Sequence, residues 1–302
     1  YQSRIRILET AILNDEIENV RNLAYDDIGL KNGVPSGVLE HVKTVTRNGV
    51  SFIVTTSVRY VDDPFDGTAS GIPNDLAPND YKLVELSINF IGRVPLAPLS
   101  YTAQFAQTFS ETSTNKGLLY IQVVDAEGLA VDQATVRISN ASTSPPILID
   151  DFTDNTGWYK LIEAPTGTLA YNIFISKSGY SSDFTTSSKP SNPNPTKPPA
   201  SVTSHNITTM SFAIDKVSNI NFRTITSTCE AVPSASFSMK GQKLIGSVPA
   251  VYKFDKTLTT NGSGIYNLSN AEWDTYSFSA TGTTYNIAGT IQLSPFTLQP
   301  DN

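Results

Sequence analysis

The densest group of chemistry-bearing side chains in this sequence is an acidic loop. Asp62, Asp63, Asp66, Asp75 and Asp80 crowd a Gly- and Pro-shaped stretch that also holds Asn74 and Asn79. Closely spaced oxygens on a flexible loop suit Ca²⁺, which takes about six to eight oxygen ligands, and clustered carboxylates repel one another without a cation. The pattern makes Asp63, Asp66, Asp75 and Asp80 the expected ligands and calcium the one cofactor the residues point to. The spacing is not that of an EF-hand, and the competing role is a solvated loop whose Asp side chains cap turns.

Catalytic chemistry has little to draw on. The two histidines, His41 and His205, have no Cys, Ser elbow or carboxylate arrangement beside them that would make a triad. Gly67-Thr-Ala-Ser-Gly71 is not a Gly-x-Ser-x-Gly elbow. No catalytic residue is assigned, and the chain reads as a non-enzyme. Cys229 is the only cysteine, which excludes an intrachain disulfide; its expected role is that of a small buried apolar residue. Trp158 and Trp273 are the aromatics suited to a ligand-binding, glycan-type surface, set against the ordinary role of aromatics in a β core. A Lys–Asn isopeptide crosslink is not expected, because residues 118–124 contain no Lys.

Composition narrows the class. The chain has 302 residues, room for two or three domains, and a net charge of −7 without a basic stripe, so nucleic acid is excluded as a partner. Thr, Ser and Asn do much of the surface work. No secretory signal and no run of about 20 apolar residues is present, so the polypeptide as given reads as soluble. An opening Tyr1-Gln-Ser-Arg inside a helical pattern reads as a piece whose natural N-terminus lies upstream.

The elements that must position these residues follow from periodicity. Residues Ser3 to Ala24 lack Gly and Pro and form the one convincing helix. Ile5, Leu8 and Ile12 make one apolar stripe; Leu13, Ile17, Val20 and Ala24 make a second about a quarter turn away. A helix meeting something outside its domain with one half, and its own sheet with the other, would need two. Strands are expected at Val38–Thr46 and Val50–Val61, joined by an Asn48-Gly49 hairpin turn, then at Tyr81–Ile91 and Leu99–Phe109. Residues 117–184 show short alternating strands with turn signals, the signature of a β-sandwich. Five prolines between Lys189 and Pro199 favour an extended spacer or a strap along a surface. A weak internal repeat follows. Asn219–Thr226, Ser236–Lys240, Thr259–Tyr266 and Asp274–Ala280 keep the order of Leu118–Asp125, Thr135–Ser139, Thr153–Tyr159 and Ala170–Ser176 at an offset of roughly a hundred residues.

Two resemblances rest on particular strings. Asn14-Asp-Glu-Ile-Glu-Asn-Val-Arg-Asn-Leu-Ala-Tyr-Asp-Asp-Ile-Gly29, the Gly33-Val-Pro-Ser-Gly37 loop, the Thr46-Arg-Asn-Gly49 hairpin and Tyr60-Val-Asp-Asp-Pro-Phe-Asp-Gly67 resemble bacterial type IV pilin-like proteins of the minor-pilin or pseudopilin type. The leader-peptidase site and apolar half-helix of that family are not in the sequence. Val124-Asp-Ala-Glu-Gly128 through Val136, with Thr153-Asp-Asn-Thr-Gly157-Trp-Tyr159, resembles the carboxypeptidase regulatory-like, transthyretin-like sandwich, with Ala130 where that family usually has Pro.

The resemblances imply an α+β pilin-like domain, a long helix on an antiparallel sheet, over residues 1–114. A regulatory-like β-sandwich over 115–186, a proline-rich strap over 187–217 and a second all-β sandwich over 218–302 would follow. They further imply a non-enzymatic structural or adhesive subunit of a pilus or related fimbrial filament at the cell surface, reached through the inner membrane, where the native protein is anchored during assembly. Its partners would be other pilin subunits, met through the helix face Ile5, Leu8 and Ile12, and a ligand on a host or neighbouring cell. The alternative is a secreted or cell-surface adhesin or carbohydrate-binding module that joins no filament. An exposed Ile5/Leu8/Ile12 stripe favours assembly; a stripe covered by the protein's own sheet favours the free-standing module.

Overall fold

The computed structural model describes residues 2–65, 67–69, 71–75, 77–92, 96–106, 115–281 and 285–301. Helix α1 (Gln2–Arg21) contains no Gly or Pro and closes with Arg21 near its carbonyl end, where a cation is favoured. It packs on an antiparallel sheet ordered β1 (Val42–Arg47), β2 (Val50–Val61), β3 (Tyr81–Phe90), β4 (Leu99–Ala106). Asn48 and Gly49 both take positive φ, 51° and 74°, and close the β1–β2 hairpin with Arg47 opposite Val50. The side of the sheet that meets the helix buries Phe52, Val54, Thr56 and Val58 from β2, with Lys82, Val84, Leu86 and Ile88 from β3.

The second unit has two sheets. One is ordered β10 (Asp183–Phe184), β9 (Gly167–Ser176), β6 (Thr135–Asn140), β7 (Ile147–Phe152), with β11 (Ala200–Val202) also paired to β9. The other is ordered β12 (Ile207–Ala213), β5 (Gly117–Val124), β8 (Trp158–Ala164). β12 runs parallel to β5 over seven matched positions, from Ile207 beside Leu118 to Ala213 beside Val124. Leu119, Ile121, Val123, Val136, Ile138, Tyr171, Ile173, Ile175 and Phe212 are buried together between the sheets.

The third unit pairs β13 (Ser218–Arg223) with β18 (Ile265–Ala271). Its larger sheet is ordered β17 (Asp255–Thr259), β14 (Ser236–Gly241), β19 (Asp274–Ala280), β20 (Phe296–Leu298). The hairpin β15 (Leu244–Ser247) and β16 (Ala250–Tyr252) is inserted between β14 and β17.

The expected fold class needs correction. Strands hold 49% of the residues and helix 8%, so the chain is mostly β and, among the described residues, carries one α-helix at its N-terminal end. At 20 residues α1 spans about 30 Å. Nor are the later parts two like sandwiches. Residues 187–217, read from sequence as a strap, supply β11 and β12 to the second unit, whereas the third unit divides into sheets of four, two and two strands. Alternation in a sequence reveals strands but not which neighbours they find, and here two of the neighbours come from within the stretch read as a strap.

Beneath that difference lies a repeat of turn chemistry. Asp125 Oδ1 accepts from the N–H groups of Glu127 and Leu129, and Thr226 Oγ1 accepts from those of Thr228 and Glu230. Ala134 N–H donates to Thr153 Oγ1, as Ala235 N–H does to Thr260 Oγ1. Asp154 Oδ1 accepts from Thr156 and Trp158 N–H, and Asn261 Oδ1 from Ser263 and Ile265 N–H. The Tyr171 and Tyr276 hydroxyls each donate to a nearby backbone carbonyl, of Pro165 and Glu272. Short polar side chains that hold their own backbone fix the strand entry angles in both units.

One residue differs at a strained point of this repeat. Gly128 takes φ 83° with open space around its missing Cβ, and Cys229 takes φ 64° at the equivalent turn. A side chain in that region costs about 1 kcal/mol. Cys229→Gly is therefore expected to raise the stability of the third unit by about 1 kcal/mol, and Gly128→Ala to lower that of the second by about the same amount. Denaturant midpoints at unchanged m-value measure both.

Candidate functional site

The helix face comes first, because the sequence offered it as an assembly surface. Ile5 is fully buried, Ile12 is 2% exposed and Leu8 is 8% exposed, all within the core beneath α1. Leu13, Ile17 and Val20 are buried with them, so the two stripes are one face about 180° wide. The filament-assembly assignment of Ile5, Leu8 and Ile12 is thus corrected. The reason is the sheet: α1 lies against β3 and β4, and its whole apolar face shares one core with the inward residues of β2 and β3. Glu9 lies in the middle of this arc and is fully buried, with Oε2 held by Arg6 at 2.8 Å. The outward side carries Arg4, Ile7, Thr10 and Asn14, of which Ile7 is 69% exposed. No helix among the described residues is long and apolar enough to cross a membrane.

In the acidic loop, the structure brings Asp63 and Asp80 together: Asp63 N–H donates to Asp80 Oδ2. Asp75 Oδ1 accepts from Ala77 N–H at 2.7 Å, Asp63 Oδ1 from Phe65 N–H at 3.1 Å and Asp62 Oδ2 from Ala69 N–H at 3.0 Å. Asp66 lies outside the described residues. Among the described residues no three His, Cys, Asp or Glu side chains converge as a metal ligand set. What these carboxylates visibly do is hold the backbone of their own loop. His41 Nδ1 lies 2.9 Å from Thr56 O, and His205 sits beside Ser204 in an exposed loop. Cys229, expected to be buried, is exposed.

The junction between the first two units gathers charges that the sequence did not single out. Arg59 reaches Asp151 at 3.4 Å and Glu85 at 3.5 Å. Asp151 is 5% exposed, and burial pushes its carboxyl up against the opposing pull of Arg59. Lys116 pairs with Glu163 at 3.2 Å, and Leu148 N–H donates to Asn32 O at 2.7 Å. Lys82, on the buried side of β3, is 2% exposed; its Nζ donates to Tyr25 O at 2.7 Å and sits 4.4 Å from the Tyr25 ring centroid. Burial lowers its pKa to about 8, against the pull of Asp26 and Asp27. The signal was available: Lys82 shares the parity of Val84, Leu86 and Ile88.

Between the second and third units the proline strap is fastened to the inserted hairpin. Thr196 N–H donates to Ile245 O at 3.1 Å, Ser247 N–H to Asn194 O at 3.0 Å and Asn192 Nδ2 to Ile245 O at 2.8 Å. A groove of about 220 Å³ opens here, lined by Asp183, Phe184, Lys197, Lys243, Glu272 and Trp273 among others. Glu272 is shared by Lys243 at 2.8 Å and Lys253 at 2.7 Å. Lys243 Nζ also lies 3.1 Å from the Trp273 ring centroid, and burial lowers its pKa against the pull of Glu272. Trp158 stands apart in the second unit, edge-on to Tyr120 with centroids 6.4 Å apart. The structure does not bring the two tryptophans together. The groove's charges are largely spent on one another, so its evident chemistry is to lock the joint.

No protein-family model and no curated protein matches the chain. Among solved structures it is similar to a streptococcal ancillary pilin, at 14% identity over 72% of each chain with a TM-score of 0.26. It is similar to the Bacillus anthracis TIE protein at 13% identity, over 87% of this chain and 56% of that one, with a TM-score of 0.26. It is also similar to the pilus backbone RrgB of Streptococcus pneumoniae at 12% identity, over 72% of this chain and 64% of that one, with a TM-score of 0.20. Similarities of this size carry no inference about fold or function.

Two outcomes are expected. Ile12→Ala is expected to cost about 2–5 kcal/mol because it empties a covered core position, whereas Ile7→Ala changes stability by less than about 0.5 kcal/mol; thermal unfolding distinguishes them. Lys82 binds its proton less tightly folded than unfolded, so the unfolded chain holds more protons above pH 8 and stability rises with pH there. The slope between about pH 8 and 9.5 is expected to vanish in Lys82→Met, measured by denaturant titration at each pH.

Proposed function

We propose that this chain is a non-enzymatic structural subunit of a cell-surface filament, a type IV pilus or a relative of it, that projects β units for contact with other surfaces. The observation that carries this reading is the way the units are fastened in sequence. Arg59 and the Asn32 carbonyl lock the first to the second, and the strap bonded to β15–β16 locks the second to the third. Such joints resist relative motion more than flexible linkers do, which suits a part that transmits force or holds a surface at a distance. Neighbouring subunits would meet the outward side of α1, at Arg4, Ile7, Thr10 and Asn14. Trp158 and Trp273 are the aromatic positions proposed for a surface ligand, and Asp63, Asp66, Asp75 and Asp80 remain the positions proposed for calcium.

The second reading, a free-standing surface adhesin, is favoured by one observation: the Ile5/Leu8/Ile12 stripe is covered by the protein's own sheet. Immunogold labelling of the source cells with antibody against residues 115–301 separates the two. Label running along filaments is expected; label confined to the cell body or the medium selects the adhesin. In the filament case, Ile7→Asp is expected to abolish assembly while the melting temperature of the purified chain stays unchanged.

A further inference from the structure

The groove between the second and third units holds more hydrogen-bond donors than its own acceptors use. Three lysines line it, Lys197, Lys243 and Lys253, against two carboxylates, Asp183 and Glu272. Lys197 pairs with Asp183, while Lys243 and Lys253 share Glu272. Asp183 is heavily used: its Oδ2 also accepts from Ala213 N–H, and its Oδ1 accepts from Phe184 N–H. The next carboxylate, Asp274, accepts from the backbone N–H groups of Lys243 and Thr275. Each ammonium carries three donors, so Lys197 and Lys243 keep N–H groups that these pairs do not take.

The indole gives a sharper signal. Trp273 Nε1 is buried, and among the described residues it meets no acceptor. Lys243 Nζ occupies one face of the ring, so the N–H edge is what Trp273 has left unmet. A buried donor without a partner costs free energy that an incoming acceptor recovers. Lys243 is also short of counter-charge, since burial lowers its pKa despite Glu272.

Aromatic surface continues from the groove. Phe184 lines it and stacks on Phe174, with centroids 6.2 Å apart and 19° between the planes. The two residues lie opposite each other in the β9–β10 pair, and Phe174 is 39% exposed, on the side of β9 away from buried Tyr171, Ile173 and Ile175. A ligand matched to these features has a negatively charged acceptor at one end and a flat apolar face beside it. A hexuronate ring has both. Its carboxylate takes charge-assisted bonds from ammonium and indole N–H groups, while the C–H face of the pyranose covers an aromatic ring and its hydroxyls stay in water.

We propose that this groove is a binding site for an acidic saccharide. It would take a terminal uronic acid residue, the carboxylate among Trp273 Nε1, Lys197 and Lys243 and the ring against the Phe174–Phe184 pair. The assignment rests on the ligand role proposed above for Trp273, gives Trp158 no part, and holds whether or not the chain builds a filament.

The test titrates the full chain with digalacturonate by calorimetry, at low and at high salt. Two comparison ligands separate charge from shape: the dimethyl ester of digalacturonate keeps the rings without the charge, and triglutamate keeps the charge without a sugar. Saturable binding of digalacturonate that weakens with salt is expected, with both comparison ligands at least about tenfold weaker. Trp273→Phe, which keeps a ring and removes the N–H, and Phe174→Ala, which trims an exposed ring, are each expected to weaken digalacturonate at least about fivefold at an unchanged melting temperature. Trp158→Phe is expected to bind as the original chain does. Absence of saturable binding overturns the proposal, as does equal binding of triglutamate, which needs no sugar. Binding undiminished in both Trp273→Phe and Phe174→Ala places the saccharide elsewhere and overturns it too. Equal binding of the ester that is lost in Trp273→Phe overturns the acidic class while keeping a ligand role for Trp273. The filament role is read separately, by the labelling of cells.

Discussion

A β-strand carries backbone donors and acceptors along both edges, and each must meet another strand, a side chain or water. That requirement organises this molecule. In the first unit the sheet runs β1 to β4 and its inner face is covered by α1. In the second, the chain travels through a proline-rich stretch, returns, and lays β11 and β12 on edges left open by β9 and β5. In the third, β13 pairs with β18 alone among the described strands. One rule therefore explains why the second core is continuous and large, and why the third is a smaller aromatic cluster with partly exposed rings.

The same requirement gives the proline-rich stretch its role. Proline removes a donor, so a segment such as Lys189–Pro199 cannot join a ladder along its length. What remains, the N–H groups of Lys189 and Thr196 and the side chains of Asn192 and Asn194, is bonded to the third unit and to the strap itself, while Thr186 N–H of the second unit donates to Lys197 O. A sequence that resists regular structure thus becomes a fastening. The carboxylate Glu272, shared between Lys243 and Lys253, adds a charged lock at the same joint; Lys253 also donates to the Ser182 carbonyl across it.

Buried charge marks the places where this packing overrides local preference. Glu9 sits where two apolar stripes merge into one face, and Lys82 sits on the inward row of β3; each is held by a near neighbour, Arg6 and the Tyr25 carbonyl. Breaking such a contact leaves a buried charge without compensation, which costs more than the contact itself contributes. These residues are positioned by the sheet rather than by their own propensities.

Several features were determined by the sequence alone. The absence of Gly and Pro from residues 3–21 sets a helix, Asn48-Gly49 sets a two-residue hairpin because both residues tolerate positive φ, and the turns at Asp125, Asp154, Thr226 and Asn261 carry their own capping atoms. All of these are local: donor and acceptor lie within a few residues, so composition and spacing suffice. Pairing between distant segments was not legible. Nothing near Ile207–Ala213 says that it lies parallel to Leu118–Val124, and nothing in α1 says that its own domain covers Ile5 and Ile12. The acidic loop shows the same limit, since its spacing suggested shared ligands while its geometry turns the described carboxylates toward their own backbone. Local hydrogen bonding is written in neighbouring residues; strand partners and helix coverage depend on which distant surfaces meet, and only the tertiary structure decides that.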